Sequence, residues 1–228
     1  MSLLTTEILP FETEAYHEGA FKKVTDADLK GHWSVVFFYP ADFTFVCPSE
    51  LIAFDKRYEE FQKRGVEVVG VSFDSEFVHN AWRNTPVDQG GIGPVKYAMV
   101  ADIKREIQKA YGIEHPDEGV ALRGSFLIDA NGIVRHQVVN DLPLGRNIDE
   151  MLRMVDALQF HEEHGEVCPA QWEKGKRRYG RLSGRRCKIP DRKRFQPVIG
   201  TRFNKKARSG GPFLLAASKF KKMTRRYL

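Results

Sequence analysis

The chain has 228 residues, 42% of them hydrophobic, enough for one domain with a sizeable core and an appendage. No apolar run approaches the roughly 18 residues of a membrane span and no basic-then-apolar leader pattern opens the chain, so a soluble, cytoplasmic protein is expected. The net charge of +6 hides a division: residues 1–172 hold 16 Lys/Arg against 28 Asp/Glu, whereas residues 173–228 hold 20 against 2, which marks a boundary near residue 172. Three cysteines, Cys47, Cys168 and Cys187, include no C-x-x-C pair. They do not make a secreted disulfide framework and suit a redox role in a reducing compartment.

In chain order, residues 1–32 read as an irregular opening segment, with a short edge strand at 21–24 and a brief helical turn at 25–29. Residues 33–39 are an unbroken apolar and β-branched run of buried-strand length, ended by Pro40. A short turn leads to Cys47, and Pro48 marks the first turn of a helix, where a missing N–H costs nothing. Leu51, Phe54, Tyr58 and Phe61 make its apolar stripe, and Gly65 closes it. Residues 66–73 form a second buried strand, so the unit is a right-handed βαβ with parallel strands.

Residues 75–83 suit a helix with Phe77, Val78 and Trp82 on its apolar side. The glycine-rich 90–94 loop lacks the Lys-Ser/Thr and helix of a phosphate cradle. A strand at 97–100 and a helix at 104–111 follow. Residues 124–129 and 133–139 form an antiparallel hairpin across Asn131-Gly132. A last helix has Asn147 as N-cap, Glu150 completing a capping box, and Ile148, Met151, Leu152, Val155 and Leu158 as its buried face. Together these elements predict a thioredoxin-like α/β fold: a central mixed sheet with helices on both faces, followed by an irregular basic C-terminal tail.

The strand–turn–helix places Cys47 at the positive end of a helix. The thiolate is the nucleophilic form, and a helix N-terminus with a nearby cation stabilises it. Taken alone, Cys47 could as well be a small buried hydrophobe. Its surroundings favour chemistry. In the turn Pro40-Ala41-Asp42-Phe43-Thr44-Phe45-Val46-Cys47, the Thr44 hydroxyl can donate to the sulfur or accept from a molecule bound beside it. Pro40 can wall the sulfur from water without competing as a donor. Arg123, at the mouth of the later strand, reads by itself as a solvated strand-end cation. Glu50 is either an ordinary helix-start acid or a bidentate partner for that guanidinium.

The spacing Pro40-x3-Thr44-x2-Cys47 resembles the active-site signature of the peroxiredoxins. The Val167-Cys168-Pro169 segment and Arg123 narrow the likeness to the typical two-cysteine members, as in the peroxidase subunit of bacterial alkyl hydroperoxide reductase. The resemblance spans about residues 1–172. It implies reduction of hydrogen peroxide and organic hydroperoxides through a sulfenic acid on Cys47, resolved by Cys168 of a partner subunit as an intersubunit disulfide. It also implies a homodimer assembled into a ring of dimers, a flavoprotein disulfide reductase or thioredoxin-type electron donor, and no cofactor, metal, haem or flavin. A three-ligand zinc site from His161, His164 and Cys168 is the metal alternative, without an evident fourth ligand.

Residues 173–228 leave the family pattern and resist assignment to a packed domain. A frameshift from about residue 177 would account for this and would make Cys187 accidental. The rival reading is a thioredoxin-like binding protein whose basic tail docks nucleic acid or an anionic surface; with the peroxidase features present, nucleic acid and membrane partners are not expected.

Overall fold

The apolar run after Gly31 forms β3 (Trp33–Phe38), whose side chains are buried on both faces of the sheet. Val35 and Phe37 enter one core, Val36 and Phe38 the other. A strand covered on both sides has no polar face, which is why its sequence is continuously hydrophobic rather than alternating. The computed structural model describes residues 2–175, all within one compact unit.

The elements in order are β1 (Glu12–His17), β2 (Ala20–Thr25), β3, α1 (Cys47–Gln62), β4 (Val66–Ser72), α2 (Glu76–Asn84), β5 (Ala98–Ala101), α3 (Glu106–Ala110), β6 (Arg123–Ile128), β7 (Val134–Asn140) and α4 (Ile148–His164). One seven-stranded sheet runs β2-β1-β5-β4-β3-β6-β7. Strands β3, β4 and β5 are parallel, as the crossover helices require; β6, β7, β1 and β2 pair antiparallel to their neighbours. Helices α1 and α4 pack their Leu51, Phe54, Phe61, Met151 and Val155 on one face, with Trp82 of α2. On the other face, Ile107 of α3, Tyr111 and Leu29 complete the second core. The mixed sheet between helical layers is the expected thioredoxin-like fold.

Three expectations need correction. The first 32 residues are not irregular: β1 and β2 form a hairpin in full register from Glu12↔Thr25 to His17↔Ala20. Its two-residue turn, Glu18-Gly19, has φ of 51° and 82°, the left-handed pair that matches strand twist; a glutamate at the first position hid the signal. The apolar side of α2 is also different, with His79, Trp82 and Arg83 buried and Phe77 64% exposed. At α4, Asn147 Oδ1 accepts from Glu150 N at 3.2 Å, but the Glu150 carboxylate is taken by Arg153 at 2.6 Å instead of closing the capping box.

No helix among the described residues is long and apolar enough to cross a membrane. The basic tail beyond residue 175, its suspected frameshift and Cys187 lie outside the described residues.

Candidate active site

Strand β3 runs into Tyr39 and Pro40, both buried, and the 41–46 loop then returns the chain to α1. Cys47 is the first residue of α1 and 1% exposed, with Pro48 behind it; Val46 at the N-cap offers no side-chain acceptor to the first turn. The sulfur therefore sits at the positive end of a 16-residue helix whose first turn also carries Glu50.

Beside β3, β6 begins with Arg123, which is 4% exposed. Its Nη1 lies 3.4 Å from Cys47 Sγ and 2.7 Å from Glu50 Oε2, while Nε donates to Leu142 O at 2.6 Å. The guanidinium is thus fixed at its other end and presents one edge to the sulfur. Burial works against its charge, but bonding to Cys47 and the charges of Cys47 and Glu50 overrule this, and its pKa is raised.

Glu50 is buried one turn beyond the cysteine. The sequence suggested a bidentate pair with Arg123; the structure gives that grip to Arg146. The Arg146 backbone N and Nε each lie 2.8 Å from Glu50 Oε1, and Nη2 is 3.0 Å from Oε2. Its remaining edge bonds Gly124 O and Ser125 Oγ, and the plane sits 5.4 Å over the Phe37 ring. Burial alone would raise the Glu50 pKa; the Arg146 bonds and charge, with Arg123 behind them, reverse this and the pKa is lowered. Two buried cations thus meet one carboxylate, which leaves a net positive charge beside the sulfur.

Thr44 does not donate to the sulfur. Its Oγ1 donates to Ala41 O at 2.9 Å, which commits the hydroxyl proton to the loop and leaves the lone pairs as acceptors. Beneath the loop lies a polar group that sequence reasoning missed. Tyr39 Oη donates to Asp42 Oδ1 at 2.8 Å, His79 Nδ1 is 2.7 Å from Asp42 Oδ2, and Asp42 N donates to Asp74 Oδ2 at 2.8 Å. These bonds fasten the loop to α2 and to the end of β4. The apolar periodicity assigned to α2 gave no hint that a buried histidine shares its inner face.

Similarity to known proteins agrees with this geometry. The AhpC/TSA family model matches residues 6–137, more than half the chain, and a model described as the C-terminal domain of 1-Cys peroxiredoxin matches residues 157–177. The chain belongs to the AhpC/TSA family.

Among its relatives, alkyl hydroperoxide reductase C of Buchnera aphidicola subsp. Schizaphis graminum is 58% identical over 179 residues, covering 77% of this chain and 90% of the relative. Peroxiredoxin-2 of Macaca fascicularis is 54% identical over 165 residues, 72% of this chain and 83% of the relative. The reduced 2-Cys peroxiredoxin of Plasmodium vivax superposes with a TM-score of 0.75 at 45% identity, over 78% of this chain and 93% of the other. Enterococcus faecalis AhpC gives 0.70 at 40% identity, over 74% and 100%.

In this AhpC/TSA chain the second cysteine follows α4, beyond the left-handed C-cap Gly165. Cys47 and Cys168 are both free thiols; Cys168 is partly exposed and donates to Ala157 O at 3.3 Å rather than joining the Arg123 cluster. Burial pushes the Cys168 thiol up, against the pull of the Arg153 cation. His161 and His164 direct Nδ1 toward Glu166 O (2.7 Å) and Phe160 O (3.1 Å), and no metal-binding group of three is present among the described residues. Arg146, which grips Glu50, is the member of this cluster that the sequence did not single out. Its available signal was position: Gly145-Arg146 immediately precedes the N-cap of α4, one strand away from Arg123.

Proposed function

We propose that this AhpC/TSA chain is a thiol-dependent peroxidase in which Cys47 is the peroxidatic and Cys168 the resolving cysteine. The Cys47 thiolate attacks the terminal peroxide oxygen, the O–O bond breaks, and the departing alkoxide or hydroxide takes a proton to leave as alcohol or water. Arg123 presents Nη1 both to the sulfur and to the oxygen that gains charge, while Thr44 accepts from the peroxide proton and aligns it. Glu50 and Arg146 hold Arg123 in place, and Pro40 closes the wall of the pocket. Cys47 becomes a sulfenic acid.

The first turn of α1 then unwinds, because a sulfur that is 1% exposed cannot meet another thiol in the folded arrangement. Cys168 of a second copy displaces water from the sulfenic acid, giving one intersubunit disulfide. A dithiol donor returns both cysteines to thiols and leaves as its own disulfide. The proposed donor is a flavoprotein disulfide reductase or a thioredoxin-type protein, and the proposed working form a cytoplasmic homodimer in a ring of dimers. The catalytic unit is residues 1–172, with the basic tail a separate appendage.

The observation that supports this reading is the 3.4 Å approach of a fixed, buried guanidinium to a cysteine at a helix N-terminus. Hydrogen peroxide consumption by wild type, Cys47→Ser and Cys168→Ser, read with non-reducing gels, tests it. Wild type should turn over and form a linked dimer. Cys47→Ser should do neither, and Cys168→Ser should oxidise once and stop without the linked dimer. Turnover persisting in Cys47→Ser would refute the assignment.

A further inference from the structure

The segment that contains Cys168 lies along one side of α4 and is fastened to it at three points. His161 Nδ1 is 2.7 Å from Glu166 O, Cys168 Sγ donates to Ala157 O at 3.3 Å, and Arg153 Nη1 donates to Trp172 O at 2.9 Å. Arg153, Ala157 and His161 are four residues apart, so they form one row on the helix and the segment runs beside it. Arg153 is the charged fastening. Its Nε and Nη2 each hold the Glu150 carboxylate at 2.6 Å, which sets the plane of the fork and leaves Nη1 for the Trp172 carbonyl.

Trp172 is 3% exposed with its ring 5.0 Å from Phe160, yet its indole Nε1 has no acceptor among the described residues. Ring packing and the bond from Arg153 to its carbonyl hold it in place, without its own polar handle.

We propose that Arg153 is a positioning residue for the resolving half of the cycle, a latch that keeps the Cys168 segment docked on α4 and limits its release toward the oxidised Cys47. A docked Cys168 has its S–H committed to Ala157 O and must leave before it can condense with a sulfenic acid. Each delay lengthens the life of the sulfenic acid and gives a second peroxide time to carry it to sulfinic acid. The groups that face the thiol are Arg153 from α4, which favours the thiolate, and Glu166 from its own segment, which opposes it. Latch and charge therefore reside in one side chain and are separable by substitution: lysine keeps the charge but not the planar fork, methionine keeps neither.

The test uses the reduced full-length protein and needs no peroxide. Alkylation of Cys168 by iodoacetamide is followed against pH, peptide by peptide, so that Cys47 and Cys187 are read separately. Arg153→Lys should raise the alkaline plateau rate on the order of tenfold, as loss of a charged hydrogen bond implies, with the midpoint pH unchanged. Arg153→Met should raise the plateau similarly and move the midpoint upward. In peroxide turnover, both variants should yield a smaller sulfinic fraction per cycle. An unchanged plateau in the lysine variant overturns the latch, as does a plateau change confined to methionine. Should methionine compromise folding, the lysine variant decides alone. The consequence in the cycle rests on the proposed role of Cys168, but the alkylation arm does not: failure of wild type to form a linked dimer removes the role and leaves the latch standing.

Discussion

Arg146 and Glu50 make a two-point pair inside the protein, Nε to Oε1 at 2.8 Å and Nη2 to Oε2 at 3.0 Å, with both side chains 2% exposed. The pair joins the helix that carries Cys47 to the segment entering α4, 96 residues away in sequence. Its worth lies in what breaking it leaves behind. Arg146→Ala strands a buried carboxylate with only Arg123 for company and should cost about 3–5 kcal/mol in denaturant unfolding, with Arg146→Lys intermediate.

Arg123→Met removes the cation from the sulfur and from the departing oxygen together. The second-order rate of Cys47 oxidation, read by stopped flow, should fall about 10²–10³-fold, the range for losing one preorganised charge-stabilising donor. Arg123→Lys should recover only part of this, because an ammonium cannot reach Leu142 O, Glu50 and the sulfur at once.

Thr44→Val keeps the volume of the side chain and removes its oxygen. Loss of a positioned acceptor for the peroxide proton should slow oxidation about 10²-fold, whereas Thr44→Ser should stay within a few-fold of wild type. If valine reacts as fast as threonine, the hydroxyl serves only its loop bond to Ala41.

Acid should reveal Glu50. Its carboxyl is held below the ordinary value of 4.5, burial opposing and the two guanidiniums prevailing. A depressed carboxyl contributes stability that is full above the unfolded value and lost as pH falls through the folded one. Between pH 6 and 3 the thermal midpoint of wild type should therefore drop more steeply than that of Glu50→Gln. Asp42 has the opposite sign, since burial raises its pKa despite the bond to His79; its contribution is present below the ordinary value and lost as pH rises through the raised one.

Removal of residues 176–228 should leave peroxide turnover within about twofold, because Cys47, Thr44, Arg123, Glu50, Arg146 and Cys168 all precede the cut. Loss of a salt-dependent affinity for nucleic acid on the same deletion, with turnover already absent in the full chain, would instead favour the binding-protein reading.

The residues of the sequence were enough to locate the cysteine proposed as nucleophile, its helix, the parallel strand pair around it and the cysteine proposed to resolve it, because each is a local pattern: a buried run, a proline at a helix start, a threonine three positions before a cysteine. Short-range chemistry is written in short-range order. What they could not supply were partnerships between distant segments. Which arginine grips Glu50, whether Thr44 spends its proton on the sulfur or on Ala41, and that His79 turns inward to Asp42 all depend on how β6, the 141–147 segment and α2 close around the loop. Buried charge seeks whichever opposite charge packing brings within about 3 Å, and that choice is made only when the chain is folded.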